Sequence, residues 1–192
     1  MALDPQVSAF LELAKAANLP DISVQGPTVA RGYSHAQPDL GGEINPSVNI
    51  SIEFFTSSTA DIAVAIYTPP ASSAAKRAGL VYFHGGGWVI NYIAKYHAQM
   101  AAMAIKTNSI IVSVNYQKSP EHKFPIPFND CYEGLEWTVA NADRLGIDVT
   151  RLGVGGDSAG GNLASAVALA ARDRGKIKIA YQWLVYPCNG PE

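Results

Sequence analysis

The chain has 192 residues, 48% hydrophobic and 16% charged, with a mean hydropathy of +0.05; these values suit one sizeable core and exclude a largely disordered chain. Its 14 basic and 16 acidic residues give a net charge of −2 and form no basic run, which excludes a footprint for nucleic acid or an anionic membrane and leaves a small molecule as the expected partner. The two cysteines, Cys131 and Cys188, stand outside any cluster with metal-ligand spacing, so no metal site is expected.

The N-terminus lacks a basic region followed by a long apolar one, and no run reaches the roughly 18 apolar residues of a membrane span, so a cytoplasmic protein with reduced thiols is expected. Residues 5–17 fit a short amphipathic docking helix, with Val7, Phe10, Leu11 and Leu13 on one side and Gln6, Glu12 and Lys15 on the other. Residues 18–47, rich in Pro, Gly, Asn and Ser, read as an irregular segment over the domain. From residue 48 the period is two. Val48, Ile50, Ile52 and Phe54 form one strand, Ile62, Val64 and Ile66 a second, with a hairpin at Ser57-Ser58-Thr59 and a stop at Pro69-Pro70. These first two strands are expected to be antiparallel.

After a polar loop at 71–78, the apolar runs Leu80–Phe83, Ile110–Val114, Leu152–Val154 and Ile177–Tyr186 alternate with helical segments at 94–106, 128–143 and 158–173. In the second of these helices Phe128, Tyr132, Leu135 and Val139 share one face. The alternation predicts an α/β fold: a mostly parallel sheet, helices on both faces, the first strands antiparallel.

Two motifs carry chemistry. Gly156-Asp157-Ser158-Ala159-Gly160 fits G-x-S-x-G between a strand and a helix, the setting of a nucleophile elbow that projects Ser158; taken alone the pentapeptide also fits an ordinary turn or a glycine cap. His84-Gly85-Gly86-Gly87-Trp88 follows the third strand at its carboxyl end, where open α/β sheets bind ligands. Unhindered N–H groups there, together with that of Ala159, would surround the oxyanion of a tetrahedral intermediate.

With both motifs in that order the chain resembles the hormone-sensitive lipase family of carboxylesterases, also called bacterial family IV. Tyr116-Gln117-Lys118-Ser119-Pro120-Glu121-His122-Lys123-Phe124-Pro125 is similar to that family's Y-R-L-A-P-E-x-x-F-P segment, and Leu184-Val185-Tyr186-Pro187 to its sixth strand. The resemblance implies an α/β-hydrolase fold and hydrolysis of short or medium acyl esters through an acyl-enzyme on Ser158. It further implies no cofactor, oxyanion donors from Gly85, Gly86, Gly87 and Ala159, and a cap built partly from the N-terminal region. The chain then divides into a helical and irregular cap-like segment at 1–47 and a partial hydrolase core at 48–192.

The triad of that fold runs Ser, Asp or Glu, then His. Here His35, His84, His97 and His122 all precede Ser158, and the later carboxylates are Asp173 and Glu192. Triad Asp and His are therefore absent and the last strands are expected to be missing, which reads as a truncated esterase; a ligand-binding pseudoenzyme of the same fold is the alternative. His84 and Asp157 are expected to support the glycine loop and the elbow. His122 is expected to be a structural hydrogen-bonding residue, His97 to pack in a helix, and Asp130 to head one. As the last strand, 177–186 would leave an apolar edge, so self-association through these residues is expected.

Overall fold

Alternating side chains build the first two strands, β1 (Asn49–Thr56) and β2 (Asp61–Thr68), into an antiparallel hairpin. Its turn is closed by Ser57, whose Oγ accepts from the N–H of Thr59 and Ala60 at 3.2 and 3.1 Å. The computed structural model describes residues 3–17, 21, 24–36, 41–71 and 75–190, and β1 and β2 begin its six-stranded sheet. The other strands are β3 (Arg77–Phe83), β4 (Ile110–Val114), β5 (Ile147–Asp157) and β6 (Tyr181–Val185), and the spatial order is β1-β2-β4-β3-β5-β6. β2 meets β4 antiparallel, whereas β3 pairs parallel with β4 and β5, and β5 with β6.

Each central strand is apolar on both faces because both are covered. Val81, Phe83, Val112, Val114 and Val154 pack with α4 (Ile126–Ala140) and α6 (Ala159–Arg174) on one side. Leu80, Tyr82, Ile111 and Tyr67 pack with Met100, Ala101 and Ala104 of α3 (His97–Thr107) on the other. Each such Val, Leu or Ile contributes about 1.5–3 kcal/mol when fully buried.

Several elements depart from the sequence expectation. The N-terminal helix forms as α1 (Pro5–Ala16), capped by Asp4 and started by Pro5, but all its residues are exposed, so no apolar face of it is buried. The segment at 18–47 contains a helix, α2 (Pro27–Ala36); residues 18–20, 22–23 and 37–40 lie outside the described residues. β3 starts at Arg77, inside the expected polar loop, because its backbone pairs with Ile147 and its N–H donates to Gly146 O at 2.9 Å, while its guanidinium bonds the carbonyls of Pro69 and Pro70 at 2.7 and 2.6 Å.

The helix expected at 94–106 is a 3-10 turn (Ile93–Tyr96) followed by α3, and that expected at 128–143 is α4 plus the short α5 (Ala142–Leu145). Asp130 does not head α4 but is buried within it, accepting from the N–H of Gln117 at 2.8 Å. Residues 177–180 precede the regular strand: Ile177 and Ile179 pack against the core, and β6 begins only at Tyr181. Among the described residues no helix is long and apolar enough to cross a membrane.

Candidate active site

β3 is flanked by β4 on one side and β5 on the other, so the connections leaving its carboxyl end diverge there, and this is where an open α/β sheet binds ligands. Phe83 at the end of β3 pairs with Gly156 near the end of β5, which brings the glycine loop and Ser158 to one edge.

Ser158 occupies the one-residue step between β5 and α6 at φ 51, ψ −120, a conformation that costs a non-glycine residue on the order of 1–3 kcal/mol. Surrounding bonds hold it there. The Ser158 N–H donates to Val185 O at 2.9 Å, and Ser158 O accepts from the N–H of Asn162 and Cys188 at 3.1 and 3.3 Å. The flanking glycines are demanded by close approach: a Cβ on Gly156 would run into the Gly160 backbone, and one on Gly160 into the Phe83 carbonyl. Asn162 fastens the loop after β6 by donating to Cys188 O at 2.9 Å, and the Cys188 sulfur stands 3.8 Å from Ser158 Oγ.

The glycine loop is anchored by Asp157. Its Oδ1 accepts from the Tyr82 hydroxyl at 2.6 Å and the Gly85 N–H at 2.9 Å, and its Oδ2 from the Tyr96 hydroxyl at 3.0 Å. Burial first, then the Asp157 charge, pushes both tyrosines up, so both keep their protons and donate. The Gly85 N–H is therefore already engaged, contrary to its expected place among free oxyanion donors. Among the described residues, the N–H groups of Gly86 and Gly87 go to no protein acceptor. The Ala159 N–H belongs to the first turn of α6, where helix donors have no intrahelical partner.

His84 is fully buried beneath the loop, stacked on Tyr116 with ring centroids 4.4 Å apart. Its Nδ1–H donates to Gly85 O at 2.8 Å, and its own carbonyl accepts from the Tyr116 hydroxyl at 2.6 Å. Burial, helped by the Lys118 charge, pushes His84 down to about 3, so it is neutral at ordinary pH and a weak base. Of the other histidines, the His97 ring meets the Tyr67 hydroxyl at 2.8 Å and the His35 ring lies edge-on to Tyr92, while the His122 backbone donates to Lys118 O and accepts from Ser119 Oγ. Asp173 pairs with Arg172 at 2.8 Å, and Glu192 lies outside the described residues.

Ser158 and Gly86 open onto one cavity of about 640 Å³, walled by Tyr96, Met100, Met103 and Trp183 and roofed by Ala30 and Ser34 of α2. Among the described residues no histidine lines it. Across the loop, Gly87 and Trp88 border a second cavity of about 490 Å³ with Phe124, Phe128 and Leu163. Among the described residues no group of three His, Cys, Asp or Glu side chains is placed to hold a metal.

Sequence reasoning missed Tyr82, Tyr96, Asn162 and Arg31. A hydroxyl within the apolar run at Tyr82 and an Asn two places after Gly160 were available signals. Arg31, in a segment without a period, offered none.

Residues 80–192 match the family described as alpha/beta hydrolase fold. The chain is 38% identical over 151 residues to arylacetamide deacetylase from Oryctolagus cuniculus, covering 76% of this chain and 38% of that protein. It is 34% identical over 196 residues to arylesterase from Saccharolobus solfataricus, covering 97% and 60%. The solved structure of ester-hydrolase EH1AB1 from the metagenome of Lake Arreo, complexed with a derivative of bipyridine phosphonate, superposes with a TM-score of 0.90 at 33% identity, again covering 97% and 60%. The chain thus spans between about two fifths and three fifths of these relatives.

Proposed function

The chain belongs to the alpha/beta hydrolase fold family, and on that premise we propose that it carries the nucleophile and oxyanion donors of a serine carboxylic-ester hydrolase for short or medium acyl esters. The observation that supports this is Ser158, held at φ 51 between β5 and α6 and facing the same cavity as Gly86. In this reading Ser158 Oγ forms a bond to the ester carbonyl carbon, the π pair moves to the carbonyl oxygen, and the hydroxyl proton passes to a base. The N–H groups of Gly86, Gly87 and Ala159 receive the oxyanion, each worth about 3 kcal/mol in the transition state. Collapse breaks the bond to the alcohol, which leaves with a proton, and water then releases the acid from Ser158 by the same path. Asp157 and His84 fix the loop. The base is not among these roles, since among the described residues no histidine lines the cavity, and His84, fully buried and held at about 3, has little affinity for a proton.

An activated p-nitrophenyl phosphonate tests the assignment without turnover. Peptide mapping is expected to place its adduct on Ser158, slowly, and to find none in Ser158→Ala. Equal labelling of the variant removes the nucleophile assignment, and reversible binding of an ester without bond formation favours a ligand-binding protein instead.

Self-association belongs to the same reading. β6 pairs only with β5 among the described residues, and Tyr181, Trp183 and Tyr186 expose 38%, 39% and 71% of their surface. Such an edge is a template for another strand. Light scattering after size exclusion is expected to give a mass above 20.4 kDa, and Trp183→Lys to lower it towards the monomer; a clean monomer of the parent chain contradicts this.

A further inference from the structure

The loop at 84–92 is unusually twisted for its length. Gly86, Gly87, Trp88 and Asn91 have φ of 120, 59, 60 and 69; glycine and asparagine tolerate the left-handed region, whereas the bulky Trp88 side chain disfavours it. A loop of this kind keeps one conformation only if its surroundings over-determine it. Asp157 supplies restraint from the sheet side, through the Gly85 N–H. The opposite side is held by α2.

Among the described residues, the side-chain hydrogen bonds of Arg31 in α2 go to segments around this loop. Its Nε donates to Val89 O at 2.9 Å and its Nη2 to Ser119 O at 2.9 Å, while Nη1 and Nη2 grip the two Glu121 oxygens at 2.8 and 2.6 Å. The two loops it joins are already bonded to each other, Ser119 N–H to Trp88 O at 2.8 Å. One turn further along α2, Ser34 Oγ donates to Asn91 Oδ1 at 2.6 Å, and Asn91 Nδ2 donates to Gly85 O at 3.2 Å. The Glu121 carboxyl is held down at about 2 by the Arg31 hydrogen bonds, so the pair is ionised at ordinary pH.

We propose that Arg31 is a positioning residue: through Val89 and Ser119 it locks the 84–92 loop in the conformation that sets Gly86 on the wall of the Ser158 cavity. The proposal rests on the esterase reading for its purpose, though not for its geometry. An exposed ion pair contributes little to global stability, so the effect of losing it concentrates in the loop. A planar guanidinium reaches two carbonyls and a carboxylate together; an ammonium does not.

The test uses the 192-residue chain and its Arg31→Ala, Arg31→Lys and Glu121→Gln variants. Hydrogen exchange by mass spectrometry is read for peptides covering 84–92 and 147–157. In Arg31→Ala the first is expected to exchange about ten-fold faster and the second to stay unchanged, as for a local opening. Arg31→Lys is expected not to rescue, and Glu121→Gln, which keeps both carbonyl contacts, to give a smaller rise. Phosphonate labelling of Ser158 is expected to slow about ten-fold in its bond-forming step with unchanged half-saturation, as loss of an interaction made only in the transition state requires. Unchanged exchange at 84–92, or an equal rise at 147–157, overturns the proposal. If Arg31→Ala fails to fold, Arg31→Lys and Glu121→Gln carry the same comparison. If the parent chain is not labelled at all, the esterase reading fails while the exchange result still decides the positioning role.

Discussion

These 192 residues are expected to hydrolyse p-nitrophenyl butyrate about 10³–10⁴ faster than water alone, and about 10⁶ slower than an enzyme with a complete triad. On the proposed reading the residual rate comes from Gly86, Gly87 and Ala159 and from substrate held beside Ser158, and the deficit from the lack of a histidine on the cavity wall among the described residues, which leaves the Ser158 hydroxyl to attack as a neutral alcohol. Initial rates against a buffer blank, with Ser158→Ala alongside, measure both. Turnover typical of an intact enzyme, lost in Ser158→Ala, overturns the expectation and makes His84 the first residue to substitute. The pH profile identifies that case. A base held at about 3 is active in its deprotonated form, so the rate would climb through pH 3 and stay flat above it.

Gly160→Val is expected to destabilise the fold by more than about 3 kcal/mol, enough to remove a cooperative transition from a marginal domain. A Cβ at this position stands 2.6 Å from the Phe83 carbonyl carbon and 2.7 Å from that of His84, so α6 and β3 must separate to admit it. Gly87→Ala is the comparison. Its Cβ meets nothing within 4 Å, and only the strain of φ 59 remains, about 1 kcal/mol. Urea midpoints for both variants and the parent decide the matter, and an unchanged midpoint for Gly160→Val overturns the packing argument.

What the sequence reveals follows from where burial is continuous. Ile110–Val114 is buried throughout, so its run of apolar residues coincides with β4. β5 begins at Ile147, well before the apolar run at 152–154, because exposed positions at its start hide the strand in a polar stretch. α2 escapes notice for a different reason: it buries only Ala30 and Ser34, and its anchors are Arg31 to Glu121 and Ser34 to Asn91, which no local pattern announces. The elbow and the glycine loop are legible because their glycines answer a steric demand. The reassignment of Gly85 is not, since the partner that takes its N–H, Asp157, arrives from β5 and only the folded sheet brings the two together. Asp130 is a similar case, an acid near the start of a helix whose partner, Gln117, comes from the preceding loop.

The pairing of Phe83 with Gly156, with α3, β4, α4 and α5 intervening in the chain, also sets an order of events. Neither local helix formation nor the β1–β2 hairpin brings the two halves of the site together; that requires closure of a long loop, whose entropic cost precedes any reward. During synthesis the glycine loop emerges well before its partner strand, and β3, apolar on both faces, has to wait for β5 with one edge open. Assembly of the site therefore comes late among the described elements, and in the interval before it the open edge of β3 is exposed to aggregation.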